Sequence, residues 1–210
     1  HSSADLDLFS VLLAAAIHDV KHPGRNQNFL VNSKSDLALR YNDKSVLENM
    51  HVASAFSRVM GRMKEGELDI FEFMGTDRVK LCRERCIDAV LHTDMSKHFT
   101  MVGQMKGLLM KNDKNSEKGV LGWEAMPYIL HLADISNQAK HISIAEQWTD
   151  RCLEEFFNQG DEEKELGLPV SPLCCRTETD RAESQVGFIK YVIQPSFEVL
   201  GMMIPTARDE

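Results

Sequence analysis

The residues best suited to chemistry lie together in residues 14–24. An apolar run ends in His18 and Asp19, a second histidine follows at His22, and Pro23-Gly24 prevents a simple helical continuation. Neutral imidazole and ionised carboxylate are both good metal ligands. A charged carboxylate at the end of a buried helix has to be neutralised, so this arrangement favours a metal site.

Asp134 could supply a further anionic ligand, because it interrupts an otherwise apolar helical segment. Adjacent helical residues point about 100° apart. His18 and Asp19 can therefore share one metal only if the helix end turns both toward it, or if Asp19 spans two ions. Each residue alone could instead be a capped or ion-paired polar group. His131 is spaced to join Asp134, although a hydrogen-bonded core histidine fits that pattern better.

Two further groups carry alternatives that the residues leave open. Gln185 and Phe188 are spaced to share one helix face, where an amide and a ring suit a purine, but an ordinary helix surface has the same spacing. Glu48, Asn49 and His51 lie near a predicted helix start. Both helix capping and support of a metal ligand are consistent with that position.

Composition and charge limit the classes of protein to consider. The chain has 210 residues, 43% hydrophobic and 27% charged, which is enough for one sizeable core. The formal net charge of −8 argues against nucleic-acid binding. The five cysteines are scattered and form no Cys-x-x-Cys pair, and no apolar run is long enough for a membrane span. We expect a cytoplasmic protein.

Helical periodicity dominates the sequence, and we predict an all-α, compact multi-helix bundle in a single domain, residues 1–210. Ser45 and Glu48 have the spacing of a capping box, Gly160 is expected to end a helix, and Pro195 should end another. A polar loop is expected at residues 112–116 and a second loop at 166–175. The predicted helices span residues 5–17, 27–31, 36–41, 46–61, 69–73, 76–92, 97–111, 126–135, 142–157, 178–193 and 197–202.

Six short motifs, in order and at compatible separations, carry a resemblance that covers almost the whole chain. They are HDVKHPG (18–24), YNDKSVLEN (41–49), TDMSKH (93–98), ADISN (133–137), QWTDR (147–151) and SQVGFI (184–189). Each motif alone is weak, but the ordered set is specific. The chain resembles the catalytic domain of class I 3′,5′-cyclic nucleotide phosphodiesterases, and looks most like the cAMP-selective branch.

The resemblance implies a hydrolase that converts cAMP, with cGMP as a second substrate, to the 5′-monophosphate. The attacking group would be a hydroxide that bridges two metal ions, Zn²⁺ with Mg²⁺ or Mn²⁺. His18, Asp19 and Asp134 would bind the tighter ion, and Asp19 would also bridge to the second. Regulatory domains would lie outside these residues.

The resemblance also assigns supporting roles. His22, Glu48 and Thr93 would act in catalysis by holding metal-bound waters, and Asp94 would lie near the second ion's water shell. Gln185 would hydrogen-bond the purine and Phe188 would stack on it. The full set of implied substrate-binding residues is Asn137, Gln185, Phe188, Trp148, Cys152 and Leu173.

Four departures from the family pattern bear on activity. A His-Asn-x-x-x-His motif, which supplies the general acid and one more metal ligand, is expected upstream of His18, so we expect these residues to be part of a longer protein. His1 does not replace it. Lys21, Met50 and Cys175 replace an acidic residue, a histidine and an aspartate. Two alternatives stay open: an impaired homologue that binds nucleotide or acts as a scaffold, and an HD-domain phosphohydrolase with another nucleotide substrate.

Overall fold

The computed structural model describes residues 3–61, 69–112 and 122–208, and every regular element in these ranges is helical. The predicted all-α bundle is therefore confirmed. Within the same ranges, no helix combines the length and the apolar character needed to cross a bilayer. The α-helices are α1 (Ser3–Ile17), α2 (Gln27–Asn32), α3 (Asp36–Arg40), α4 (Val46–Val59), α5 (Thr76–Leu91), α6 (His98–Asn112), α7 (Met126–Asp134), α8 (Ile142–Glu165), α9 (Arg181–Phe188) and α10 (Gln194–Met203).

Helix α7 lies at the centre of the bundle. Its Leu130 belongs to an apolar cluster with α1, α4 and α5, whereas Tyr128 and Leu132 belong to another with α6 and α10. A third cluster joins α2, α3 and α4. Because both faces of α7 are packed, its last residue, Asp134, is held in a fixed position.

Gly160 does not end its helix, so that prediction is wrong. Helix α8 continues to Glu165, and Gly160 is buried inside it. A Cβ atom on Gly160 would lie 1.9 Å from the carbonyl oxygen of Cys174. The glycine is thus needed for close approach of the following loop, which covers residues 166–180, rather than for termination.

The capping box at Ser45 is also wrong. Ser45 has left-handed backbone angles, φ 42° and ψ 51°, and its side chain makes no cap hydrogen bond. Its hydroxyl instead donates to Asp94 Oδ2 at 2.6 Å. A local sequence pattern cannot show this bond, because the two residues are 49 positions apart.

The remaining boundaries follow local chemistry. Pro195 does not stop the last helix, because it lies in the first turn of α10 directly after a π-helix, Ile189–Ile193, where a missing N–H is tolerated. Residues 69–73 form hydrogen-bonded turns instead of a helix. The polar loop expected at 112–116 lies, beyond Asn112, outside the described residues. The loop expected at 166–175 is present.

Candidate active site

His18 and Asp19 lie in the turn that follows α1, not on the helix itself. The N–H of Val20 donates to the Ile17 carbonyl, and the N–H of His22 donates to the Asp19 carbonyl. This tight turn removes the 100° divergence of adjacent helical side chains. His18 Nε2 is consequently only 3.4 Å from Asp19 Oδ2.

Asp134 reaches the same point from the end of α7, which packs against α1. His18 Nε2 lies 3.2 Å from Asp134 Oδ1, and His18 Nδ1 donates to the Ala15 carbonyl at 2.8 Å. The carbonyl fixes the ring so that Nε2 faces the two carboxylates. The hydrogen bond with Asp134, opposed by burial and aided by the Ala15 carbonyl and both negative charges, raises the pKa of His18 to about 9.

These three residues fit a divalent cation. Their ligand atoms all lie within 4.8 Å of one another. A proton on His18 Nε2 would lie between the ring and the two carboxylates. A divalent cation at that position would be bound by the Nε2 lone pair and by two carboxylate oxygens. The carboxylate expected at a buried helix end is in fact accessible, since the Asp19 side chain is 62% exposed. Asp19 follows the end of α1, Asp134 is the last residue of α7, and both line an open cavity of about 490 Å³.

A second ligand group shares Asp19 with the first. It consists of Asp19, His22 and His51, whose ligand atoms also lie within 4.8 Å of one another. His51 Nδ1 donates to the Val20 carbonyl at 2.8 Å, so Nε2 faces Asp19 Oδ1, 3.7 Å away. Burial lowers the pKa of His51, which favours the neutral ring that metals bind.

The sequence left His51 with two open roles, helix capping or support of a metal ligand, and did not indicate that it is a candidate ligand itself. The available sequence signal was its position three residues after Glu48, which places both side chains on one face of α4. Its ring stacks against His22 with centroids 5.7 Å apart.

Glu48, Thr93 and Asp94 line the same cavity. Glu48 Oε2 is buried without a hydrogen-bond partner among the described residues, and burial, followed by the Asp94 charge, raises the pKa of Glu48 to about 7. The Thr93 hydroxyl donates to the Val90 carbonyl at 2.8 Å. Burial acts to raise the pKa of Asp94, but hydrogen bonds from Ser45 and from the Ser96 N–H bring it below its ordinary value.

Gln185 is held by Gln138 and Thr149, for which the sequence predicted no role. Gln138 Nε2 donates to Thr149 Oγ1 at 2.9 Å, and the Thr149 hydroxyl donates to Gln185 Oε1 at 3.1 Å. The single hydroxyl hydrogen of Thr149 is thus directed to Gln185, whose amide turns Oε1 toward Thr149. Its Nε2 group makes one longer contact, 3.3 Å to Ser184 Oγ.

Only part of the expected substrate set lies together. Leu173 and Phe188 line one cavity of about 750 Å³ between the 166–180 loop and α9. Asn137, Gln185, Trp148 and Cys152 line neither this cavity nor the 490 Å³ cavity. Trp148 is 45% exposed.

The structure shows the surroundings of the three residues that depart from the family pattern. Lys21 is exposed in the turn after Asp19, with φ 63°. Met50 is buried in the apolar cluster of α2, α3 and α4, where a thioether packs well. Cys175 is half-buried, and its sulfur lies 3.9 Å from Lys164 Nζ.

Comparison with known proteins decides the family. The model of the 3'5'-cyclic nucleotide phosphodiesterase family matches residues 2–209. The chain belongs to this family. The family assignment agrees with the six motifs and with the two ligand groups that share Asp19.

The similar proteins are phosphodiesterases by name. Dual specificity calcium/calmodulin-dependent 3',5'-cyclic nucleotide phosphodiesterase 1B of Bos taurus and that of Mus musculus are each 42% identical over 200 residues. The match covers 95% of this chain but only 36% of each relative.

Two solved structures are also similar to the chain. The phosphodiesterase domain of Salpingoeca rosetta rhodopsin phosphodiesterase is 31% identical with a TM-score of 0.83, over 96% of this chain and 61% of that one. The phosphodiesterase domain of the RhoPDE fusion protein from Salpingoeca rosetta is 30% identical with a TM-score of 0.86, over 98% and 65%.

Proposed function

We propose that the chain is part of an enzyme that hydrolyses 3′,5′-cyclic nucleotides to 5′-monophosphates, cAMP in preference to cGMP. One observation carries this proposal. Two groups of side chains with suitable metal-ligand atoms share Asp19, and every member except His18 lines one cavity. Paired divalent ions that share a ligand are a common arrangement in enzymes that cleave phosphate esters.

His18, Asp19 and Asp134 would hold one ion, and Asp19 would contact the second. Imidazole with carboxylates suits Zn²⁺, and a site richer in carboxylate and water suits Mg²⁺ or Mn²⁺. Divalent cations supply Lewis acidity, which neutralises charge on a phosphate and makes water a better nucleophile at neutral pH.

The residues around these ligands manage protons and water. Glu48 Oε2 is buried at the cavity and has no hydrogen-bond partner in residues 3–61, 69–112 and 122–208, so it is placed to hold a proton or to accept a hydrogen bond from water. A carboxyl group whose pKa is about 7 exchanges that proton readily near neutral pH. His22 and Thr93 line the same cavity and would orient water there.

Gln185 and Phe188 would bind the purine, the first by its amide and the second by its ring face. With Oε1 engaged by Thr149, the amide presents Nε2 as a donor. Adenine offers ring nitrogens as acceptors and guanine offers O6, so this donor suits both bases. The preference for cAMP, with help from Asn137, rests on the resemblance, whereas the curated relatives are named as dual specificity enzymes.

We also propose that residues 1–210 form the larger, C-terminal part of one catalytic domain. The chain spans 61% and 65% of the two solved domains it matches. Regulatory domains would lie outside these residues, since the match covers only 36% of each curated relative. The five free cysteines support a cytoplasmic location.

The test is turnover of cAMP and cGMP by the full-length protein with Mg²⁺ present, compared with Asp134→Ala. We expect hydrolysis that Asp134→Ala abolishes and that Asp77→Ala, an exposed carboxylate on α5, leaves intact. Undiminished turnover in Asp134→Ala would overturn the metal assignment. Nucleotide binding without turnover in the full-length protein would establish the impaired homologue instead.

A further inference from the structure

Two polar side chains are buried on one face of α8. Gln159 is 2% exposed and Glu163 is 1% exposed, and they lie one helical turn apart. A glutamate is almost never fully buried unless its oxygens are paired. Gln159 Nε2 donates to Glu163 Oε1 at 2.8 Å, so the two side chains form one unit.

Glu163 holds the middle of the 166–180 loop. The N–H of Ser171 donates to Glu163 Oε2 at 2.7 Å, and the Ser171 hydroxyl donates to Glu163 Oε1 at 2.6 Å. With the amide of Gln159, the carboxylate accepts three hydrogen bonds. Hydrogen bonds to a charged group in a buried setting are among the stronger ones in proteins.

Gln159 holds a second segment on the opposite side. The N–H of Asn26 donates to Gln159 Oε1 at 2.8 Å. Asn26 caps α2 through its own side chain, four residues after His22. Gln159 and Glu163 therefore connect the segment beside the candidate metal ligands to the 166–180 loop, which lines the 750 Å³ cavity.

The held loop shapes that cavity through Leu173. Leu173 lies two residues after Ser171, with φ 66°, and lines the 750 Å³ cavity with Phe188. A non-glycine residue keeps a left-handed conformation only where its surroundings impose it. The loop is also anchored at the surface, where Arg176 pairs with Glu154 and Asp161, but exposed ion pairs contribute little. The buried bonds of Glu163 are the stronger constraint.

We propose that Glu163, supported by Gln159, is a positioning residue that sets the loop wall of the nucleotide pocket. The proposal rests on the proposed function, because it assigns Leu173 and Phe188 to a nucleotide. Glu163 acts through Ser171 and the loop and does not touch the substrate. Its loss should therefore weaken nucleotide binding while the ligands at His18, Asp19 and Asp134 keep their metal.

The experiment replaces Glu163 with glutamine in the full-length protein. Glu163 accepts hydrogen bonds from Ser171 and Gln159. A glutamine there presents an NH₂ group in place of one accepting oxygen, so bonds to the loop are lost. We expect KM for cAMP to rise about tenfold, the effect of losing one buried hydrogen bond to a charged group, with kcat and metal content changed less than about twofold. Glu165→Gln, an exposed glutamate two residues further along α8, is the matched control and should leave all three unchanged.

Hydrogen exchange gives a readout that does not depend on activity. Peptides from residues 166–180 should exchange faster in Glu163→Gln than in Glu165→Gln, while peptides from α1 and α7 stay equally protected. Ser171→Ala removes one of the two loop bonds and leaves no new buried donor, so it should act in the same direction but less strongly. It tests the proposal even if Glu163→Gln does not fold.

Unchanged KM and unchanged exchange in the folded variants would overturn the proposal. A fall in kcat at constant KM would also overturn it. Absence of turnover in the unmodified full-length protein would instead overturn the proposed function, and the exchange experiment would still decide whether Glu163 positions the loop.

Discussion

Gly160→Ala should destabilise the protein by forcing the 166–180 loop away from α8. The added Cβ would lie 1.9 Å from the Cys174 carbonyl oxygen and 2.7 Å from its carbon, although real contacts of this kind stay beyond 3.0 Å. The loop backbone must therefore withdraw by roughly 1 Å. Overpacking of this kind costs about 1–3 kcal/mol, and the better helix propensity of alanine returns about 0.5–1 kcal/mol. From the middle of each range, the net loss should be about 1 kcal/mol.

Urea unfolding monitored by circular dichroism measures this loss, with Gly103→Ala as the control. Gly103 lies in α6, and a Cβ there would have no heavy atom within 4 Å. The control should gain about 0.5–1 kcal/mol, so the two variants should shift the free energy of unfolding in opposite directions. A Gly160→Ala variant that is as stable as Gly103→Ala would refute the close approach of Cys174 to α8.

Three other predictions concern polar groups whose burial or hydrogen bonds the structure defines. Ser45→Ala should lower the free energy of unfolding by about 1–3 kcal/mol, because it removes the hydrogen bond to buried Asp94. A loss of less than about 0.3 kcal/mol in urea unfolding would contradict this. In metal-free protein the folded-state pKa of Glu48, about 7, exceeds its ordinary value of 4.5. Stability should therefore fall as pH rises from 4.5 through 7, and Glu48→Gln should remove this dependence, as unfolding at pH 5 and pH 8 would show. The hydrogen bond with Asp88 raises the pKa of His92, so Asp88→Asn should lower it in an NMR titration; an unmoved value would exclude the pair.

Most of the fold could be predicted from the sequence because helical periodicity is local. The first helix ends at Ile17 as expected, since Pro23-Gly24 leaves no route for continuation. The helices predicted at 36–41 and 46–61 also match α3 and α4 closely, apart from the expected cap at Ser45. Periodicity is decisive there because each helix buries one apolar stripe.

The failures came from contacts between distant residues. Ser45 is a cap by pattern, yet its hydroxyl is taken by Asp94. Gly160 has the residue type of a helix end, yet it serves the approach of Cys174. Rules based on neighbouring residues cannot predict these contacts, because Asp94 and Cys174 lie far along the chain from Ser45 and Gly160.

The candidate site shows the same division. The donor types of His18, Asp19 and Asp134 indicated a metal, but only the fold shows that His18 and Asp134, 116 positions apart, meet at 3.2 Å. Gln138 and Thr149 had no predicted role, and His51 was not predicted to be a ligand. Their roles depend on which carbonyl or hydroxyl each one faces, and that is set by packing.

The most direct test is isothermal titration of Zn²⁺ into metal-stripped full-length protein and into its Asp134→Asn variant. Asparagine keeps the shape of aspartate but removes the charge, so the fold should be unchanged by circular dichroism. We expect the variant to bind Zn²⁺ at least about tenfold more weakly, since even indirect support of a ligand is worth 10–100-fold. Equal affinity and stoichiometry in the two proteins would contradict a metal centre built on His18, Asp19 and Asp134.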